Sequence, residues 1–464
     1  MRSPADLVIA HGYVVTMNQT RQVHRDGAVA VTGNRIAEVG PAAEMLAKYE
    51  SPHVIHADGM MVLPGLIDGH NHPTSYLATG LTDDLDVRTS VFKRLYPYES
   101  ALRPEEAHVA ALGTFVEMVK SGTTCFNDPG GYDVDHVGEA ARIVGIRGII
   151  SRSLRDFVDP NMVASGALVE DVETCLREGD GILKRWNGAE NGRIRAWLSL
   201  RNVVCVSDEL CKQVRDLAKQ RKVGIHTHVA SAKGANEVTM RLFGKQALTR
   251  YYELGLFGSN LYCAHVGFPD VAEIDLLKQH DVKVAHCPAA SQLGAMGVIA
   301  NGMIPKMMQK GVTVSLGSDT AGAAGFLDLI RTMYVAACAH RDAHFDPQIM
   351  DATKALEMAT IDGARACLWH DEIGSLEPNK LADIILVDRS GFGWAHPARD
   401  PVRSLVYSGT GDSVDTVIID GRVVMRKRVV LTVDEEDVMR RVSDAEMAVM
   451  QRSGFGTELR WPGM

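Results

Sequence analysis

Val62-Leu63-Pro64-Gly65-Leu66-Ile67-Asp68-Gly69-His70-Asn71-His72 sets two histidines one residue apart after an apolar run. In an extended strand, side chains at i and i+2 share a face. A buried strand ending at this pair would aim both imidazoles at one point. His70 and His72 are therefore candidate ligands for a single metal ion. A His-x-His pair alone is weak, because many such pairs are surface accidents. The apolar run before it favours the buried strand.

Three more β-like runs end on a residue of the same chemistry. Val223 to His228, Leu261 to His265 and Val312 to Asp319 each close a short apolar stretch, and each leads into polar or helical sequence. In a (β/α)₈ barrel the carboxyl ends of the strands form the catalytic face. Imidazoles and a carboxylate gathered there suit a borderline divalent ion: zinc first, with cobalt, manganese or iron also open.

The middle of the chain alternates strand and helix from about residue 62 to 370. Helices are expected near Pro104–Ser121 and Val137–Val144, and strands at Thr123–Asn127, Arg147–Ile150 and Arg193–Leu198. With the runs ending at His228, His265, His286 and Asp319, this makes eight strands and an α/β fold of the TIM-like (β/α)₈ barrel type. An open doubly wound sheet is the alternative, but no Gly-rich phosphate loop follows the first strand. Both chain ends read as β: Asp6–Ile9, Tyr13–Thr16 and Ala28–Val31 at one, Ala382–Asp388 and a hairpin around Asp420-Gly421 at the other. The expected organisation is a small composite β-sandwich from residues 1–62 and 372–430, a barrel over 63–371, and a helix and tail over 431–464.

The chain has 464 residues, a hydrophobic fraction of 46% and a net charge of −9 from 49 basic and 58 acidic residues. That suits a globular enzyme with a small-molecule substrate. No basic run supports nucleic-acid binding. No uninterrupted apolar run approaches a membrane span, and the N-terminus lacks the apolar core of a signal peptide. The eight cysteines form no C-x-x-C pair, so reduced thiols and a cytoplasmic protein are expected.

With these motifs in order, the chain resembles the amidohydrolase superfamily over nearly its whole length. Val62 to His72 looks like the first-strand signature, Gly317-Ser318-Asp319 like the last-strand aspartate, and Gly374 to Asp383 like the return into the sandwich. Order and spacing, with Met358 to Arg365, are similar to the branch holding atrazine chlorohydrolase and melamine deaminase. The resemblance implies one divalent metal per chain, ligated by His70, His72, His228 and Asp319, in a homo-oligomer. His265 would sit just outside, bonded to water or substrate. Binuclear relatives often carry a lysine at the end of the fourth strand; Leu198-Ser199-Leu200-Arg201-Asn202 stands there instead.

One departure bears on the reaction. Relatives that deaminate rings carry Glu three residues after the fifth-strand histidine, where it protonates a ring nitrogen. Here the run is His228-Val229-Ala230-Ser231. A serine hydroxyl lacks that acidity, and Glu237 lies nine residues past His228, too far along to replace it simply. A metal-activated water attacking an acyl carbon is therefore expected, cleaving an amide, urea, carbamate or thiocarbamate, as in the phenylurea and thiocarbamate herbicide hydrolases of this superfamily. The alternative is an aminohydrolase or dechlorinase of a triazine, pyrimidine or purine. A binding protein that kept only the fold, or a lyase using the same metal, stays open.

In the acyl reading Asp319 moves the proton and His265 stabilises the oxyanion. The plain alternatives are a helix N-cap for Asp319 and a core histidine for His265. His226 could share the inward face of its strand and orient substrate or a ligand; a packing role is as good a reading. Tyr76, Asn127, Arg201 and Ser231 follow strand ends and are candidate substrate contacts, though loop positions are mostly solvated. His286 is expected to be structural or at the pocket rim.

Overall fold

The computed structural model describes all residues except 1, 158, 160–168, 395–399 and 456–464. At its centre stand eight parallel strands: β1 (Leu66–Asp68), β2 (Thr123–Asn127), β3 (Arg147–Leu154), β4 (Ile194–Leu200), β5 (Ile225–Val229), β6 (Leu261–His265), β7 (Lys283–His286) and β8 (Val314–Leu316). Each pairs in parallel with the next in chain order, with one register shift between Leu66 and Ile67. The seam between β1 and β8 is closed by their outgoing loops. Gly69 N–H donates to the Leu316 carbonyl (2.9 Å), Asp319 N–H to the His70 carbonyl (2.8 Å) and His72 N–H to the Asp319 carbonyl (2.7 Å). The bonds that shut the barrel thus run through the candidate ligands, so closure itself fixes their backbones.

The opening motif is not one strand. Met60–Pro64 pairs antiparallel with Ile384–Asp388 in a second sheet, and only Leu66–Asp68 enters the barrel. Gly65 is the switch between them: a Cβ there would run into the Thr124 side chain. The apolar run reads continuously because both halves are buried, each in a different sheet.

The second sheet is mixed and nine-stranded, built from both chain ends. It is one hydrogen-bonded sheet, not two stacked ones, and its core includes Ile9, Val29, Ile36, Val62, Ile384 and Ile418. Asp6–Ile9 and Tyr13–Thr16 fuse into a single strand, Leu7–Val15, irregular where His11 adopts φ 63°. The Asp420-Gly421 hairpin forms as read, with both residues at positive φ (55° and 76°). The C-terminal helix runs Glu435–Ser453 and packs on the helix Pro104–Lys120; of the expected tail, residues 456–464 lie outside the described residues. Ala321–His344 is, among the described residues, the one helical stretch long and apolar enough to match a membrane span. Of its apolar window 56% is buried in the protein, as in a core helix. All eight cysteines are free.

A buried ionic junction joins the two sheets. Arg147, at the start of β3, donates to both oxygens of Asp383 (2.6 and 3.0 Å) and to Asp420 of the hairpin (3.2 Å). Arg147 and Asp383 are almost fully buried. Removing one member strands the other without a counter-charge. Arg147→Ala is therefore expected to lower stability by about 3–5 kcal/mol, read from chemical denaturation. An unchanged denaturation curve would show that the junction contributes nothing.

Candidate active site

Barrel closure and strand direction bring His70, His72, His228, His265 and Asp319 together at the carboxyl face of the barrel. Nε2 of His72 and of His228 lie 3.1 Å apart. Asp319 Oδ1 is 3.7 Å from His70 Nε2 and 3.9 Å from His72 Nε2, and Oδ2 is 4.0 Å from His265 Nε2. The Asp319 separations are too long for hydrogen bonds. They suit donor atoms that share one ion, and the group falls into two overlapping triads, His70–His72–His228 and His70–His265–Asp319.

Hydrogen bonding fixes which nitrogen faces the centre. His228 Nδ1–H donates to the Arg201 carbonyl (2.7 Å), which leaves Nε2 as the lone-pair nitrogen. For His70 the constraint passes through two further residues. Asn127 Oδ1 accepts from His226 Nδ1–H (3.0 Å), so His226 Nε2 is an acceptor. That atom accepts from His70 Nδ1–H (3.0 Å). His70 Nε2 is then a bare lone pair, fully buried and without a partner. A buried acceptor left unmatched is costly, and a divalent cation is the partner that this donor set fits.

Burial also keeps the imidazoles neutral. It holds His70, His72 and His228 well below the ordinary histidine value, with neighbouring imidazoles and Arg201 adding to the effect. Burial alone brings His265 to about 4. Asp319 is pushed up to about 7 by burial and then by the Asp68 carboxylate, while Arg201 pulls it down. The backbone around the centre is strained: Ala230, His265, Val266 and Asp319 have φ of 46°, 70°, 45° and 68°. Such strain gathers where side chains must be aimed.

A cavity of about 110 Å³ opens onto the centre. His72, His228, His265 and Asp319 form its floor, with Ser231 and Arg201 beside them. Val87, Val91, Leu95, Leu293 and Met296 supply apolar wall. Ser231 faces the cavity, whereas Glu237 is exposed on the helix Ala235–Phe243 and does not line it.

Several expected contacts move. Tyr76 does not line this cavity: its ring lies against Gly113 and faces the groove between the helices Pro104–Lys120 and Glu435–Ser453, because the 3₁₀ helix Pro73–Ala78 turns it outward. Asn127 and His226 are fully buried beneath the floor and orient His70 instead of lining the cavity. His286 is buried, with Nε2 3.0 Å from that of His340, away from the rim. Sequence reading missed Asp68, Tyr96 and Glu99. Asp68 accepts from His70 N–H (3.2 Å), Ser318 N–H (3.0 Å) and Ser318 Oγ (2.5 Å), tying the ends of β1 and β8. Its place inside the signature was a signal. Nothing local marked Tyr96 and Glu99, which reach the cavity through tertiary packing of the segment 87–101.

The amidohydrolase family matches residues 61–424. The chain belongs to this family. A 5-methylthioadenosine/S-adenosylhomocysteine deaminase of Syntrophobacter fumaroxidans is 32% identical over 443 residues, covering 95% of this chain and 97% of its own. An adenosine deaminase from Xanthomonas campestris, solved with bound zinc, superposes with a TM-score of 0.90 at 26% identity, over 97% of this chain and all of its own. Zinc-bound atrazine chlorohydrolase from Arthrobacter aurescens shares the fold (TM-score 0.84, 23% identity, 95% of this chain and 100% of its own). The chain is thus a metal-dependent amidohydrolase with a histidine metal-binding site. The sequence relative is named for deamination, and gives the expected herbicide substrate no support.

The relay beneath the floor makes a direct prediction. Asn127→Ala and His226→Phe should weaken metal binding by about 10–100-fold, measured by competition with a chromogenic chelator, with the fold retained by circular dichroism. Unchanged affinity in both would show that His70 needs no help in choosing its tautomer.

Proposed function

We propose that this amidohydrolase holds one divalent metal, zinc first, on His70, His72, His228 and Asp319, and hydrolyses a bond at an acyl carbon of a small uncharged molecule. An amide, urea, carbamate or thiocarbamate fits. The observation that carries this reading is Ser231, which faces the cavity where ring deaminases of the superfamily carry the acid that protonates the ring. No carboxylic acid replaces it from the helix that follows, since Glu237 is exposed.

When bound, the metal lowers the pKa of a water to about 7 and polarises an oxygen opposite it. The protein supplies the rest. Asp319 accepts the proton of the attacking water and returns it to the departing nitrogen or sulfur. His265 is neutral, so it can donate one hydrogen bond to the oxygen on the attacked carbon or hold the water in line. The apolar wall binds the substrate body and excludes bulk water.

A second reading is deamination of an adenine nucleoside, and the relatives favour it. It has the support of identity over nearly the full length of a deaminase named for 5-methylthioadenosine and S-adenosylhomocysteine. It requires a proton donor other than Ser231.

Metal-loaded enzyme offered adenine nucleosides, amides, ureas, carbamates and thiocarbamates separates the two. Acyl hydrolysis with no ammonia from the nucleosides is the expected outcome; efficient ammonia release with the acyl compounds untouched establishes the deaminase. Asp319→Asn should lose about 10²–10⁴ in kcat and far less of its metal, because asparagine keeps an oxygen but cannot take a proton. Near-normal turnover would move the proton transfer to another group, with His265 next.

A further inference from the structure

Arg201 stands where β4 ends, and its two ends do different work. Its backbone carbonyl accepts from His228 Nδ1–H (2.7 Å), so the residue is locked against the metal site. Its side chain lines the cavity. The guanidinium donates to Glu99 Oε1 (2.8 Å) and reaches the Gly130 carbonyl (3.4 Å), and it lies 5.3 Å from the centre of the Tyr96 ring. Glu99 and Tyr96 come from the helix Tyr96–Ala101, so a cavity wall and the barrel meet at this ion pair.

The pair is buried, with side-chain exposures of 9% for Arg201 and 13% for Glu99. A buried ion pair is weak as a source of stability, because desolvation offsets its attraction. Two apolar residues would fill the same space at no greater cost. A guanidinium has five N–H donors in a fixed plane, and Glu99, Gly130 and Tyr96 do not exhaust them. Arg201 lines the same cavity as His72, His228 and Asp319.

We propose that Arg201 selects and activates the substrate: its guanidinium donates to the acceptor atom borne by the carbon under attack. Glu99 is its positioning residue. It holds the plane and cancels the charge, so the site takes uncharged substrates with a carbonyl-type acceptor and an apolar body. The device does not replace the proton donor missing at position 231; a guanidinium keeps its proton and acts only by stabilising charge on the acceptor oxygen. No bond to Arg201 forms or breaks.

The inference rests on the hydrolytic reading above, and its test is separable from it. The substrate that the screen returns is used, whatever its class; product identity decides between acyl hydrolysis and deamination, and the variants below decide Arg201. Arg201→Ala and Arg201→Gln should lower kcat/KM by about 10²–10³-fold, mostly in kcat, at unchanged metal content. Added guanidinium ion should rescue part of kcat in Arg201→Ala. Arg201→Lys should recover less than rescue does, since an ammonium lacks the planar fork. Glu99→Gln should raise KM for uncharged substrates and shift preference at least about tenfold toward carboxylate-bearing analogues, because it uncovers the charge that the pair conceals. Normal kcat in Arg201→Gln overturns the proposal. So does a loss of activity that tracks lost metal and that guanidinium does not relieve. A Glu99→Gln enzyme with unaltered KM and charge preference overturns the positioning role.

Discussion

A bare, buried nitrogen organises this active site. His70 Nε2 has no partner because every alternative has been removed. Asn127 settles the tautomer of His226, and His226 settles that of His70. The cost of an unmatched acceptor in a dry interior, roughly 1–3 kcal/mol, is carried by the barrel around it. In return the site needs no rearrangement to receive a cation. The same economy appears at His228, whose Nδ1–H is engaged by a main-chain carbonyl. Two candidate ligands on opposite strands are thus aimed by groups that do not themselves coordinate: the Asn127–His226 relay for His70 and the Arg201 main-chain carbonyl for His228.

Closure of the barrel and assembly of the site are one event. β1 and β8 are short, of three residues each. Their seam is sealed by bonds from Gly69, His72 and Asp319, and by Asp68 bridging to Ser318. A barrel left open on this side would lack both the first-strand histidines and the aspartate. The strained φ at Asp319 is tolerated because this network over-determines it; at Val266, next to His265, the main-chain N–H is held by the Val229 carbonyl of β5 (3.0 Å).

The eight barrel strands and the residues at their ends were legible because both rest on local pattern. An apolar run that ends in His or Asp reports its own burial and direction. Val62–Asp68 shows the limit: hydrophobicity marks burial, but not which sheet does the burying, so a change of sheet at Gly65 was invisible. Tyr76 and Asn127 were misplaced for a related reason. A residue just past a strand end can point up, down or outward, and the 3₁₀ turn after His72 and the inward face of β2 decide that only in three dimensions. Glu99 is the one charged residue of the short helix Tyr96–Ala101 and carried no local pattern. Its partner Arg201 is 102 residues away, so no local reading could join them.

The lack of a carboxylic acid at position 231 constrains the chemistry. When water adds to a ring C=N bond, the nitrogen must take up a proton and keep it until the amine leaves. A guanidinium cannot give that proton up at neutral pH, since it stays protonated well above it, and the Ser231 hydroxyl is too weak an acid to do so. When water adds to a carbonyl, the oxygen only carries charge for the life of the tetrahedral state and becomes a carbonyl again when the leaving group departs. Such an oxygen needs donors aimed at it and no proton. The one proton that must move goes from the water to the leaving group, which is within the reach of a single carboxylate such as Asp319. Serine at 231 and a clamped arginine at 201 fit the second case, the one proposed above, whereas deamination would need a proton donor from elsewhere in the cavity.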